Sequence, residues 1–199
     1  LHQRTGGLAA LNYGQSVLGV ADGPLRRQRQ AVAKAASAPG GGQSLDMSLI
    51  VADATASCMT DPAFAAHLAP LVAWAKAVWD GWLPRRVLDR LVVAAKTKLR
   101  RTSRPWTVAC GPASASLATA TRLGWQVSSA TEFVYDLGEV FHLHISSPAA
   151  ISVAVQAAVR SWQWRKVAGV HPSLAASTAG ALLEPLRKLL YGKSMPPAW

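Results

Sequence analysis

The sequence predicts a mostly α protein, an irregular bundle of about six helices with one β-hairpin near residues 132–145. Three observations carry that expectation. Apolar residues recur at three- and four-residue spacing over most of the chain. Alanine, the strongest helix former, supplies much of the apolar content. The apolar period shortens to two in one place, between Glu132 and Ile145.

Taken in order, Leu8 to Val20 is a short apolar run broken by Gly14 and Gly19. Asp22-Gly23-Pro24 reads as a helix start, because an aspartate can cap free amides and proline suits a first turn. The helix it opens, Leu25 to about Ala36, carries Arg26, Arg27, Arg29 and Lys34. Pro39-Gly40-Gly41-Gly42 stops it. Leu45 to Cys58 is apolar and reads as a buried helix, with a strand over Met47 to Val51 as the alternative. Asp61-Pro62 repeats the cap-and-proline signal. The helix it opens has Phe64, His67, Leu68, Leu71, Val72, Ala75, Val78, Trp79 and Trp82 at helical spacing, and Pro70 should kink or split it. Pro84 opens the next helix, with Val87, Leu88, Leu91, Val92, Ala95 and Leu99 as its apolar stripe. Gly111-Pro112 starts an alanine-rich helix ending near Leu123. A hairpin is expected from Glu132–Asp136 and Glu139–Ile145 around Leu137-Gly138. Ser146-Ser147-Pro148 restarts a helix whose buried face is Ile151, Val155, Val159 and Trp162. A last helix is expected near Ala181 to Tyr191, closed by Gly192. The expected organisation is an N-terminal segment with its basic helix over 1–38, a glycine-rich linker over 39–44 and a helical domain over 45–199.

Composition narrows the function classes. Half of the 199 residues are hydrophobic, so a packed core is expected rather than a disordered tail. Only 16% are charged, yet 21 Lys and Arg face 10 Asp and Glu, a formal net charge of +11. That imbalance points to a polyanionic partner. The two cysteines, Cys58 and Cys110, form neither a disulfide framework nor a zinc spacing, so reduced, semi-buried thiols and an intracellular setting, nuclear or cytoplasmic, are expected. The chain starts without Met or a signal-like apolar region, as if cut from something longer. The most apolar stretch, Pro62 to Leu83, is interrupted by His67, Pro70, Lys76 and Asp80, which argues against a membrane span.

The strongest local signal follows Pro84. Arg85, Arg86, Arg90, Lys96, Lys98, Arg100, Arg101 and Arg104 are opposed by Asp89 alone, so this stretch holds +7 of the +11. Arg86 and Arg90, and again Lys96 and Arg100, are four residues apart and share a helix face. Cations on a rigid helix neutralise phosphates without reading sequence. A solvated helix face would more often mix both signs of charge. Arg85, Arg86, Arg90, Lys96, Arg100 and Arg101 are therefore the main phosphate candidates, with Arg26, Arg27 and Arg29 secondary. A second cluster is Arg160-Ser161-Trp162-Gln163-Trp164-Arg165-Lys166. Trp164 falls off the buried stripe beside Arg160, and the pair is a candidate to stack a base. Packing of Trp164 against another helix is the simpler alternative, and Trp74, Trp79 and Trp82 are expected in the core.

No complete catalytic site is read. His142-Leu143-His144 would put two imidazoles on one strand face, but a polar sheet face explains them more simply than a metal. Phe133-Val134-Tyr135-Asp136 has the aromatic-x-Asp beginning of a polymerase metal motif, with Leu137 where the second carboxylate would be needed. Gly40-Gly41-Gly42 lacks the Lys-Ser/Thr of a phosphate loop, and no cofactor is expected.

Leu11-Asn12-Tyr13-Gly14-Gln15-Ser16-Val17-Leu18-Gly19-Val20, followed by Pro24-Leu25-Arg26-Arg27-Gln28-Arg29, resembles a segment of LINE-type (non-LTR) retrotransposon reverse transcriptases. The tryptophan-bearing words Trp74 to Pro84, Arg104-Pro105-Trp106, Arg122 to Trp125 and Trp162 to Arg165 are similar to the C-terminal portions of such polyproteins. The resemblance implies a thumb-like or connector piece after the polymerase palm. The metal-binding carboxylates would then lie upstream of this chain, and none is carried onto a residue here. The expected function is non-catalytic, sequence-nonspecific contact with RNA or DNA, with the rest of its own polyprotein as a possible partner and no membrane. The alternatives are a helical protein–protein interaction module, docking through the helix of Pro62 to Leu83, and a decayed retroelement fragment without function.

Overall fold

A computed structural model of the chain describes residues 14–36, 44–56, 59–135 and 138–170, with 54–56 described by backbone alone. Among these residues there are seven α-helices and a small antiparallel sheet, so the mostly helical expectation holds. The helices are α1 (Gln15–Leu18), α2 (Asp22–Ala36), α3 (Leu45–Ala56), α4 (Pro62–Trp79), α5 (Arg85–Arg100), α6 (Pro112–Leu123) and α7 (Pro148–Val170). A single 3-10 turn, Pro105–Thr107, lies between α5 and α6. The helix expected near 181–191 lies outside the described residues.

The chain forms two compact units. Among described residues, one comprises 14–25 and Ala65–Val159, and the other comprises Arg26–Phe64 and 160–170. Within the second unit Arg29 of α2 lies 2.7 Å from Asp46 of α3.

In the first unit α5 packs against α6, and α1 also packs against α6. α6 is rich in Ser and Thr, yet Ser114 to Ala120 are all buried. This is tolerable because the hydroxyls bond their own helix: Thr119 Oγ1 donates to the Ala115 carbonyl at 2.7 Å and Ser116 Oγ to the Ala113 carbonyl at 3.0 Å. Arg122, on the last turn of α6, donates to the Val20 carbonyl at 2.7 Å and pairs with Asp22 at 2.8 Å. Its guanidinium also lies 4.2 Å from the centre of the Trp106 ring. One arginine thereby holds Val20 and Asp22 against the end of α6. Burial lowers the Arg122 pKa, and Asp22 offsets part of that effect.

The hairpin is present as β2 (Glu132–Val134) and β3 (Val140–His142), with Phe133 opposite Phe141. A third strand, β1 (Gln126–Val127), pairs with β2 on its other side. Two residues are too few to show alternation, so no periodicity marks this strand. Gly138 takes φ +86°, the left-handed backbone that the turn between β2 and β3 needs; Asp136 and Leu137 lie outside the described residues. Trp125, Tyr135 and Phe141 form an aromatic cluster with centroids 5.3–6.1 Å apart. Trp74 of α4 donates from its indole to the Ala130 carbonyl at 3.0 Å.

α4 runs through Pro70 as one helix, so of the expected kink or split the split does not occur. A helix-interior proline costs about 3 kcal/mol. Ala66, the residue four positions before, is small, and Leu71, Trp74, Ala75 and Val78 bury the following turns. That burial outweighs the lost hydrogen bond.

In the second unit the core brings Ile50 of α3 against Trp164 and Val167 of α7, with Met47 packed on them. α3 is helical through Met47 to Val51, which removes the strand alternative.

Candidate nucleic-acid interface

The basic stretch after Pro84 is the helix expected. α4 ends in a paired C-terminal motif: Gly81 has φ +65°, its N–H donates to the Val78 carbonyl at 3.3 Å, and the Trp82 N–H reaches back to Ala77 at 3.0 Å. Pro84 then supplies the carbonyl that receives the Val87 and Leu88 N–H groups and opens α5.

One side of α5 is sunk in the unit through Leu88, Val92 and Ala95. At 3.6 residues per turn, Arg86, Arg90, Thr97 and Arg101 lie roughly opposite that stripe, and Arg100 lies beside them. Arg86, Arg90, Arg100 and Arg101 are all exposed. From Arg86 to Arg100 this ridge runs about 21 Å at 1.5 Å per residue. Asp89, the one acid of the helix, is half-buried and occupied: it accepts the Ala130 N–H at 3.2 Å and lies 3.8 Å from Arg85. The outward row therefore carries positive charge alone.

The remaining α5 candidates sit differently. Arg85 is exposed but leans to Asp89. Lys96 is half-buried, and its ammonium donates to the Ser128 carbonyl at 3.0 Å. Val87 and Leu91 of the expected apolar stripe are exposed rather than core. Trp79 and Trp82, also expected in the core, are 45% and 65% exposed, while Trp74 is buried as expected.

In the second unit Arg26, Arg27 and Arg160 are exposed, and Arg160 lies 5.9 Å from the Phe64 ring centre. Arg29, a phosphate candidate, is buried instead, and for Trp164 the simpler alternative of packing against another helix is the one observed. Arg29 is 2% exposed and is the centre of a buried polar network. Its Nε donates to both Asp61 oxygens at 3.0 and 2.9 Å, and its Nη2 lies 2.8 Å from Asp61 Oδ2. Its plane also lies 5.0 Å from the Trp162 ring centre. A phosphate cannot reach it. Trp164, 7% exposed, packs with Ile50 and Val167 and offers no face to a base.

The network extends further. Asp61 Oδ1 accepts the Ala63 N–H at 2.8 Å, so the same carboxylate caps α4. Gln163 donates to Asp61 Oδ2 at 2.8 Å and to Asp53 Oδ2 at 3.4 Å. Asp53 Oδ1 accepts the N–H groups of Thr60 and Asp61. Burial tends to lower the Arg29 pKa, but Asp61 and Asp46 outweigh it and the net shift is upward. Burial pushes the Asp53 carboxyl above its ordinary value; the Asp61 N–H bonded to it opposes the rise, and the Asp61 charge adds to it. These groups bind one another and build the unit.

His142 ends β3 and His144 lies in the following turn, their rings meeting edge to face at 5.9 Å. Among the described residues no group of three His, Cys, Asp or Glu side chains is placed to hold a metal. Cys110 is a free, exposed thiol rather than a semi-buried one, and Cys58 lies outside the described residues. No helix of the described residues is long and apolar enough to cross a membrane. No family model, curated protein or solved structure matches the chain, so the reading of this surface rests on its residues.

Proposed function

We propose that the chain is a non-catalytic nucleic-acid-binding segment that holds RNA or DNA by its phosphates through α5, without reading base sequence. The observation that carries this reading is the outward row of Arg86, Arg90, Arg100 and Arg101, from which the helix's one acid is turned aside. Guanidinium groups bind phosphate oxygens through paired donors, and each neutralised phosphate releases counterions. The likeness of residues 11–29 to LINE-type reverse transcriptases favours a setting in a retroelement protein, as a template- or primer-handling piece after the palm. That setting rests on those words of sequence alone.

The test is binding to a labelled RNA–DNA duplex across a salt series. Four contacted phosphates predict that log affinity falls linearly with log salt at a slope of about −3 to −4. No binding at low salt by a folded sample contradicts the reading. It would favour the interaction module, for which one feature speaks: a shallow groove of about 510 Å³ along α4, lined by Ala65, Leu68, Ala69, Val72 and Ala73.

A further inference from the structure

The turn between α4 and α5 leaves a tryptophan exposed. In the C-terminal motif that closes α4, the residue after the left-handed glycine commonly folds back onto the residue five positions earlier. Here that residue is Trp82 and its counterpart is Ala77, too short to hold an indole. Trp82 is left 65% exposed, held at the backbone by its N–H bond to Ala77 and followed by Pro84, which restricts the segment's freedom. Trp79, one turn back on α4, is 45% exposed, and Leu83 and Val87 are exposed beside them in sequence. Arg85, Arg86 and Arg90 follow within eight residues, all exposed.

We propose that Trp82 is a base-stacking platform at the head of the α5 ridge, so that the occupant of this surface is single-stranded nucleic acid. The proposal rests on the phosphate reading of α5 and adds the class of substrate. The exposed arginines that follow the indole in sequence, Arg85, Arg86 and Arg90, select a polyanion. Its flat face matches a base, and a base can reach it only when free of a duplex stack. An anionic membrane is the competing polyanion. It would need a free apolar face along the helix, and the main apolar stripe of α5, Leu88, Val92 and Ala95, is buried in the unit. The charged side chains of the row turned outward are all arginine, with only Val93 and Thr97 between them.

The experiment uses the full chain and three probes: a 12-nucleotide oligo-dT, a blunt duplex of the same length, and vesicles with about one-third phosphatidylserine. Trp82→Ala, Trp82→Phe and Arg86→Ala/Arg90→Ala are compared with the parent, with unchanged circular dichroism and urea midpoint as the check on folding. Loss of one stacked base predicts that Trp82→Ala weakens oligo-dT binding about 5- to 150-fold. Trp82→Phe should retain most of the affinity, duplex binding should change less than about twofold, and the salt slope should stay the same, because no phosphate contact is removed. Equal loss on single strand and duplex, or no loss on either, overturns the stacking platform. The phosphate reading then still stands if Arg86→Ala/Arg90→Ala shallows the slope. Binding to vesicles but to neither oligonucleotide overturns both.

Discussion

The Nη2 atom of Arg29 lies 2.8 Å from Asp61 Oδ2, with the two side chains 3% and 0% exposed. The pair joins α2 to the residue that caps α4, and Gln163 of α7 donates to the same carboxylate at 2.8 Å. An arginine that looks like part of a basic helix in the sequence is thus a structural ion, enclosed with the carboxylates that neutralise it.

Removing that arginine should unfold the second unit readily. Arg29→Ala leaves Asp61 and Asp46 buried or half-buried without their cation, a change that typically costs about 3–5 kcal/mol. Arg26→Ala and Arg27→Ala, exposed on the same helix, should stay within about 0.5 kcal/mol of the parent. Urea unfolding of the three variants checks this, and similar midpoints for all three would mean that the buried pair contributes nothing particular.

Asp53 gives the pH dependence an unusual sign. Its carboxyl titrates above the ordinary 3.8 in the folded chain, chiefly through burial. The folded state therefore keeps its proton to higher pH than the unfolded state does. The contribution of Asp53 is most favourable below 3.8 and declines as pH rises through the raised folded value. Asp53→Asn keeps an oxygen for the Thr60 and Asp61 N–H groups and removes the titration. The stability of the parent minus that of the variant should fall as pH rises above the ordinary 3.8. A difference that stays flat, or rises in favour of the parent, refutes the assignment.

Gly19 should resist any side chain. Its φ is +65°, and an added Cβ would lie 2.5 Å from Cζ3 of Trp106, the ring that Arg122 also covers. Left-handed strain and overpacking together predict about 2–4 kcal/mol of destabilisation for Gly19→Ala. Gly14, with φ +74° and open space around its Cβ position, should lose only about 1 kcal/mol. Thermal melts of the two variants, compared side by side, measure the contribution of the Trp106 contact.

Lys96 and Arg90 should separate in binding although both lie on the basic helix. The Lys96 ammonium is engaged by the Ser128 carbonyl, whereas Arg90 faces outward. Lys96→Met is expected to change the salt slope by much less than the roughly one unit expected for Arg90→Ala. Equal changes, measured by anisotropy, would show that Lys96 leaves Ser128 to reach a phosphate.

Much of the fold was legible because its signals are local. Pro84 and the stripe of Leu88, Val92 and Ala95 mark α5, and Gly111-Pro112 and Gly124 bracket α6. What was hidden depends on distant partners. Arg29 meets Asp61, 32 positions away, and nothing within its own helix shows that it is enclosed. Trp79 and Trp82 continue the helical spacing of α4, but the turn at Gly81 ends the helix before Trp82 can face the core. The mismatch with Ala77 is visible in the sequence only once the turn type is known. Trp164 was placed off the buried stripe, yet α7 meets partners on more than one side, as Ile50 shows. Of the candidate interface, the arginines of α5 were readable from spacing, and their division into an outward row and tethered flanks was not.

The most direct test of the α5 assignment is the salt dependence of affinity for the parent and for Arg86→Ala/Arg90→Ala on the same RNA–DNA duplex. The account predicts a linear log–log decline for the parent and a slope shallower by about two units for the variant, on every sequence tried. Identical slopes and affinities for the two proteins would contradict it and remove α5 from the interface.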